Sequence, residues 1–154
     1  MTKYYIAYGS NLNVKQMMHR CPTAKPVRTS VISDYELLFK GSKTGAYLTI
    51  ERKKGSTVPV AVWAVTDDDE KRLDIYEGYP VFYYKTEMKL PVKFLKNGET
   101  KTITAFVYIM HEDRKTGIPS ETYIGTCAVG YGEFGFDIEF LNKALKKSLK
   151  GVGK

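Results

Sequence analysis

Apolar and polar residues alternate along this chain with several distinct periods, and each period predicts an element. Tyr4 to Tyr8 is an aromatic and apolar run, which reads as a strand. Gly9 and Ser10 end it, and Asn11 or Asn13 can cap a short helix carrying Met17 and Met18. Val27 to Phe39 reads as a long, irregular strand broken at Ser33-Asp34, and Gly45 to Glu51 as another. Val58 to Val65, with Trp63, is apolar on both faces, the pattern of a central strand covered on both sides. Thr66 or Asp67 then caps a helix. Asp67 with Glu70 makes a capping box, and the acids there suit the positive end of the helix dipole. Gly78 followed by Pro80 stops that helix. Met88, Leu90, Val92 and Phe94 alternate with Lys89, Pro91 and Lys93, and Ile103, Ala105, Val107 and Ile109 alternate on the way back. Lys96-Asn97-Gly98-Glu99 between them is a strong hairpin signal. Pro119-Ser120 opens a further helix, and Asp137 caps a last one with an apolar stripe of Ile138, Leu141, Leu145 and Leu149.

Six or so strands come first, with helices inserted and then appended. That order is not βαβ repetition. It predicts an α+β fold: a small, mixed, mostly antiparallel β-barrel with inserted and C-terminal helices. The 154 residues suit one domain spanning positions 1–154. A hydrophobic content of 43% excludes a disordered or collagen-like chain. No apolar run reaches the roughly 18 residues a membrane helix needs, and Met1 to Tyr5 enters a strand pattern with no signal-peptide core. The expectation is a soluble, cytoplasmic protein with no membrane partner.

Charge sharpens this only at one end. The net charge is +7, but Lys143, Lys146, Lys147, Lys150 and Lys154 crowd the last twelve residues, and without those five the balance is +2. The molecule therefore reads as a nearly neutral body with a basic tail over residues 143–154. A nucleic-acid domain carries its charge on a reading face, so nucleic acid is not the expected partner, and a module that binds through the tail is the lesser alternative. Cys21, Cys127, His19 and His111 match no metal-ligand spacing, so no metal is expected.

Two places can carry chemistry. Tyr8-Gly9-Ser10-Asn11-Leu12 is a strand-to-helix turn in which glycine allows close approach of a ligand. The amides that follow can receive a carboxylate or an oxyanion, or the segment is simply a tight turn with an Asn cap. It matches no phosphate loop, and no G-x-S-x-G elbow activates Ser10. The second place is Glu77. It sits in the last turn of its helix, where the dipole disfavours a negative charge, with Asp74 on the same face. Tyr76, Tyr79, Phe82, Tyr83 and Tyr84 supply bulky surroundings. Together these favour a protonated carboxyl, which suits a proton shuttle; otherwise Glu77 is a solvated helix-end residue. Asp74 and Glu77 cannot be a glycosidase pair, because helix positions three apart stand only about 5–6 Å apart between Cβ atoms and cannot flank a sugar ring. Tyr123 stands out as a tyrosine in the first turn of a helix, just after Pro119-Ser120.

Four blocks in this order resemble the gamma-glutamylcyclotransferase family. They are Tyr5-Ile6-Ala7-Tyr8-Gly9-Ser10-Asn11-Leu12; Leu73-Asp74 with Glu77-Gly78, followed by Tyr83 and Lys85; Val107-Tyr108-Ile109; and Pro119-Ser120-x-x-Tyr123 with Gly130 behind it. The resemblance implies a small α+β barrel with no metal and no cofactor. It implies an enzyme in which the α-amine of a gamma-glutamyl substrate attacks its own γ-carbonyl, releasing 5-oxoproline and an amine or amino acid. Glu77 would be the acid/base. Ala7, Tyr8, Gly9, Ser10, Asn11, Leu12, Tyr83 and Tyr123 would bind the substrate. Gly-Ser-Asn in the first block, rather than Gly-Thr-Leu, favours the branch acting on gamma-glutamyl amino acids or related conjugates. A non-catalytic protein binding a gamma-glutamyl-like metabolite is the alternative, and a homodimer stays open.

Overall fold

The fold is that of a computed structural model covering residues 3–41, 45–93 and 97–152. Met1, Phe94, Lys96 and Lys154, named above, lie outside the described residues.

Five strands form one sheet in the order β2-β3-β1-β5-β4. They are β1 (Lys3–Ala7), β2 (Lys25–Lys40), β3 (Tyr47–Val65), β4 (Tyr83–Lys93) and β5 (Thr100–Met110). All pairings are antiparallel except β1 with β5, where Tyr5 faces Phe106 in parallel. The helices are α1 (Val14–Arg20), α2 (Asp67–Glu77), α3 (Glu121–Phe134) and α4 (Glu139–Val152). The α+β expectation holds, but the barrel does not. The ladder is open, although its ends approach where Ser30 Oγ donates to the Pro91 carbonyl at 2.7 Å.

The two strands expected over 45–51 and 58–65 are parts of a single strand, β3. Partnership across the sheet explains the continuity. Asp34 takes a positive φ of 62°, and its carboxylate accepts the Gly55 amide at 3.0 Å. This bulge absorbs the register shift between Ser33 and Tyr35, so the β2–β3 hairpin bends without breaking. Val58 to Trp63 is buried throughout, as its unbroken apolar run requires, because β3 lies between β2 and β1.

Local chemistry sets the helix ends. Asn13 caps α1, its side chain accepting the Gln16 amide at 3.0 Å. The capping box of α2 is Thr66 with Asp69 rather than Asp67 with Glu70. Asp69 wins because Thr23 also donates to it, at 2.7 Å, in a fully buried position. Gly78 closes α2 at φ 63°, ψ 36°, a left-handed geometry that glycine adopts without Cβ strain. Ser120 caps α3 by accepting the Tyr123 amide at 3.1 Å.

Asp137 accepts the Glu139 amide at 3.0 Å and so starts α4 as expected, but the buried stripe differs. Leu141, Ala144 and Ser148 face inward, whereas Ile138 and Leu149 are exposed. Small residues let this helix approach the sheet closely, and Lys147 reaches Glu36 on β2. Among the described residues no helix is long and apolar enough to cross a membrane.

Candidate active site

The loop after β1 and the end of α2 meet over one face of the sheet. Between them is a cavity of about 360 Å³. Tyr8, Gly9, Ser10, Asn11, Glu77, Tyr83 and Tyr123 all line it. Ala7 and Leu12 do not; both are buried in the core, where Ala7 pairs with Ala61 of β3. Ala7 shares a strand face with Tyr5, which does border the cavity, but its short side chain is taken up in the core. Residues 10–12 form a single 3-10 turn that drives Leu12 inward.

Gly9 permits tight packing on the cavity wall. A Cβ at this position would stand 3.3 Å from the Tyr123 hydroxyl and 3.4 Å from Leu48 Cβ. The turn carries no side-chain cap, and the amides of Ser10 and Asn11 have no acceptor among the described residues. From below, Gly130 of α3 seats the turn. A Cβ there would fall 2.5 Å from the Leu12 carbonyl carbon and 2.6 Å from the Asn13 nitrogen.

Tyrosine hydroxyls brace the walls. Tyr8 donates to the Tyr108 carbonyl at 2.7 Å and Tyr83 to the Leu48 carbonyl at 2.8 Å. Tyr123 accepts the Leu48 amide at 3.0 Å, a bond that does not use its own hydroxyl hydrogen. All four rings at the inner end, Tyr5, Tyr8, Tyr83 and Tyr108, are buried. Tyr5, Tyr8, Tyr83 and Tyr123 titrate well above the ordinary phenol range, first through burial, with the nearby Glu77 charge adding to it. They stand as neutral donors and acceptors at neutral pH.

Glu77 is half-buried, and the protein packed around it withholds bulk water. Burial pushes its carboxyl from 4.5 up to about 8, and the Arg20 guanidinium draws it back down. The direction matches the sequence reading, but one expected cause does not operate. Asp74 is occupied by Lys85 and by the Tyr108 hydroxyl. Tyr84 lies away from the cavity, bonded to Glu112.

The sequence reading passed over Tyr5, Tyr47, Leu48 and Tyr108 as cavity residues, and Arg20 as a neighbour of Glu77. Tyr5 and Tyr108 sit in strand runs whose aromatic content strand propensity already explains. Nothing local to Arg20 announces that it faces a residue 57 positions away.

A family model described as gamma-glutamyl cyclotransferase, AIG2-like, matches residues 5–125, which include the turn, Glu77, Tyr83 and Tyr123. The chain belongs to that family. Human gamma-glutamylcyclotransferase is 30% identical over 147 residues, covering 90% of this chain and 75% of the human protein. The bovine gamma-glutamylcyclotransferase matches to the same extent, at 30% over 147 residues. A solved gamma-glutamyl cyclotransferase superposes with a TM-score of 0.76 at 25% identity, covering 94% of this chain and 86% of that one. The chain is thus an enzyme of the gamma-glutamylcyclotransferase type.

Proposed function

We propose that this enzyme cyclises the glutamyl group of small gamma-glutamyl conjugates, and that Glu77 carries the proton. The α-amine of the glutamyl group attacks the γ-carbonyl carbon. A new C–N bond closes the five-membered lactam, and the original amide C–N bond breaks. The products are 5-oxoproline and the free amine or amino acid, and no water is consumed.

The α-amine arrives as an ammonium and must lose a proton before it attacks. The leaving nitrogen must gain one before it departs. One carboxyl group placed between them serves both steps, first as base and then as acid. What supports Glu77 in this role is its setting: a carboxyl raised to about 8, lining a tyrosine-walled cavity opposite the Gly9–Asn11 turn. A group that exchanges its proton near neutral pH is matched to such a shuttle.

The attack turns the γ-carbonyl oxygen into an oxyanion. Preorganised amides stabilise such charge because they need not reorient when it develops, and the unclaimed amides of Ser10 and Asn11 are of that kind. Tyr83 and Tyr123 flank the glutamyl chain and hold it folded. Orientation of an intramolecular attack is worth up to about 7–11 kcal/mol.

The test is Glu77→Gln assayed for 5-oxoproline by mass against a panel of gamma-glutamyl amino acids and amines. The variant is expected to bind 5-oxoproline and to lose turnover. Near-normal rates in the folded variant would remove Glu77 from the mechanism.

A further inference from the structure

We propose that Arg20 is a positioning residue of this site, clamping the Gly9–Asn11 turn to the end of α2 that carries Glu77. The role rests on the cyclotransferase reading above. Arg20 does not line the cavity. It acts through the residues that do.

Arg20 ends α1, where a cation suits the negative end of the helix. Its guanidinium carbon lies 3.4 Å from the centroid of the Tyr76 ring. From that stacked position Nη1 donates to Asn11 Oδ1 and Nη2 donates to Gln16 Oε1 at 3.3 Å. Asn11 is gripped from its other side as well, since its Nδ2 donates to the Tyr5 hydroxyl at 2.8 Å. Tyr76 is also held twice, because its hydroxyl shares a 3.0 Å hydrogen bond with Ser10 Oγ. The result is a closed ring of contacts running Ser10, Asn11, Arg20, Tyr76 and back to Ser10. Two of its members belong to the turn, and one immediately precedes Glu77.

The clamp is needed because Tyr76 is 44% exposed and burial alone does not fix it. A planar guanidinium can lie on a ring and donate from its edge at the same time; an ammonium cannot do both with this geometry. Charge adds a second consequence. Among the described residues Arg20 is the cation that draws the Glu77 carboxyl down against burial. The other titratable groups facing Glu77 are Tyr5 from β1, Tyr8 from the loop after it, Tyr83 from β4 and Tyr123 from α3. All four are neutral across the working range, so they do not replace that charge.

Arg20→Lys, Arg20→Met and Tyr76→Leu separate these contributions. With gamma-glutamyl-alanine as substrate, the release of 5-oxoproline gives kcat and KM for each variant and the wild type between pH 5 and 10, alongside a thermal melt. Arg20→Met is expected to lower kcat/KM by on the order of 10²-fold, as a misplaced reacting group does, and to move the acidic limb to higher pH. Arg20→Lys should lower kcat/KM while leaving that limb close to the wild-type position, because the charge remains. Tyr76→Leu changes a ring that is largely exposed and also borders the cavity; the variant is expected to fold and to raise KM without moving the limb. The role is overturned if the Arg20 variants keep the wild-type kcat/KM and pH profile beside an active wild type. It is equally overturned if Tyr76→Leu is kinetically silent, or if every loss tracks melting temperature alone with no change in KM or limb. A wild type that releases no 5-oxoproline from any conjugate overturns the cyclotransferase reading itself, and this role with it.

Discussion

The Tyr108 hydroxyl donates to Asp74 Oδ1 at 2.6 Å, on the same oxygen that receives the Lys85 ammonium at 2.8 Å. Lys85 also binds Glu70 at 2.7 Å and lies 4.5 Å from the Tyr79 ring centroid. The carboxylate one turn before Glu77 is therefore balanced, and burial rather than like charge governs the Glu77 proton.

Removing the balance should expose the missing effect. Lys85→Met leaves Asp74 and Glu70 without their shared cation, so the charge of Asp74 reaches Glu77 at its neighbouring helix position. The acidic limb of kcat/KM is expected to move to higher pH. The ion pairs are partly exposed, so the expected stability loss is about 1–3 kcal/mol, between the surface and buried cases. Kinetics over a pH series and urea unfolding of the same variant check both parts. An unmoved limb would mean that Asp74 does not act on Glu77 even when unpaired.

The free enzyme and its substrate complex should differ in pH dependence. The profile of kcat/KM reports the free enzyme, in which Glu77 titrates at about 8. A bound substrate places an ammonium beside the carboxyl and favours its ionised form. The acidic limb of kcat should thus lie below that of kcat/KM. Initial rates at saturating and limiting substrate across pH 5 to 10 give both limbs. Coincident limbs would show that the ammonium does not bind beside Glu77.

Stability carries the same signature with its own sign. The Glu77 carboxyl is raised from 4.5 to about 8 on folding, so the native state holds its proton where the unfolded chain has lost it. The stabilisation is fully present below about pH 4.5 and is lost as pH rises to about 8, above which it is constant. Glu77→Gln removes this dependence. The variant should be more stable than the wild type at pH 8 by a few kcal/mol at most, and the two should converge near pH 4. Urea midpoints at both pH values test it, and a difference that does not change with pH would contradict the assigned titration.

How much of this was legible beforehand follows the range of the physics. Gly78, Ser120 and Asn13 end or start their helices through contacts within four residues, and the sequence shows them directly. The continuity of β3 depends on Asp34 reaching Gly55, 21 positions on, a separation at which local periodicity carries no signal. The buried stripe of α4 follows from what β2 presents, and Ala144 and Ser148 carry no apolar signal of their own. At the site, the glycine turn, the helix-end position of Glu77 and the first-turn position of Tyr123 are legible in the residues themselves, and the substrate-binding roles of the turn, Tyr83 and Tyr123 come from the resemblance. The partners of Asp74 could not be read, since Lys85 lies 11 residues away and Tyr108 lies 34 away.

Two glycines beside the turn should respond differently to alanine. At Gly130 an added Cβ meets backbone, the Leu12 carbonyl carbon at 2.5 Å and the Asn13 nitrogen at 2.6 Å. Backbone cannot rotate aside, so α3 and the turn must part. Gly130→Ala should cost about 1–3 kcal/mol, as forced overpacking does, and should impair turnover by displacing Ser10 and Asn11. At Gly9 the added Cβ meets the Tyr123 hydroxyl at 3.3 Å and the Leu48 side chain at 3.4 Å, contacts that side chains can relieve by small shifts. Gly9→Ala should fold with little loss and fill part of the cavity, raising KM. Urea unfolding and steady-state kinetics on both variants distinguish the cases. A Gly9→Ala enzyme with wild-type KM would mean that the glutamyl group does not lie against that face of the turn, and a fully stable Gly130→Ala would mean that α3 and the turn are not packed as closely as these distances require.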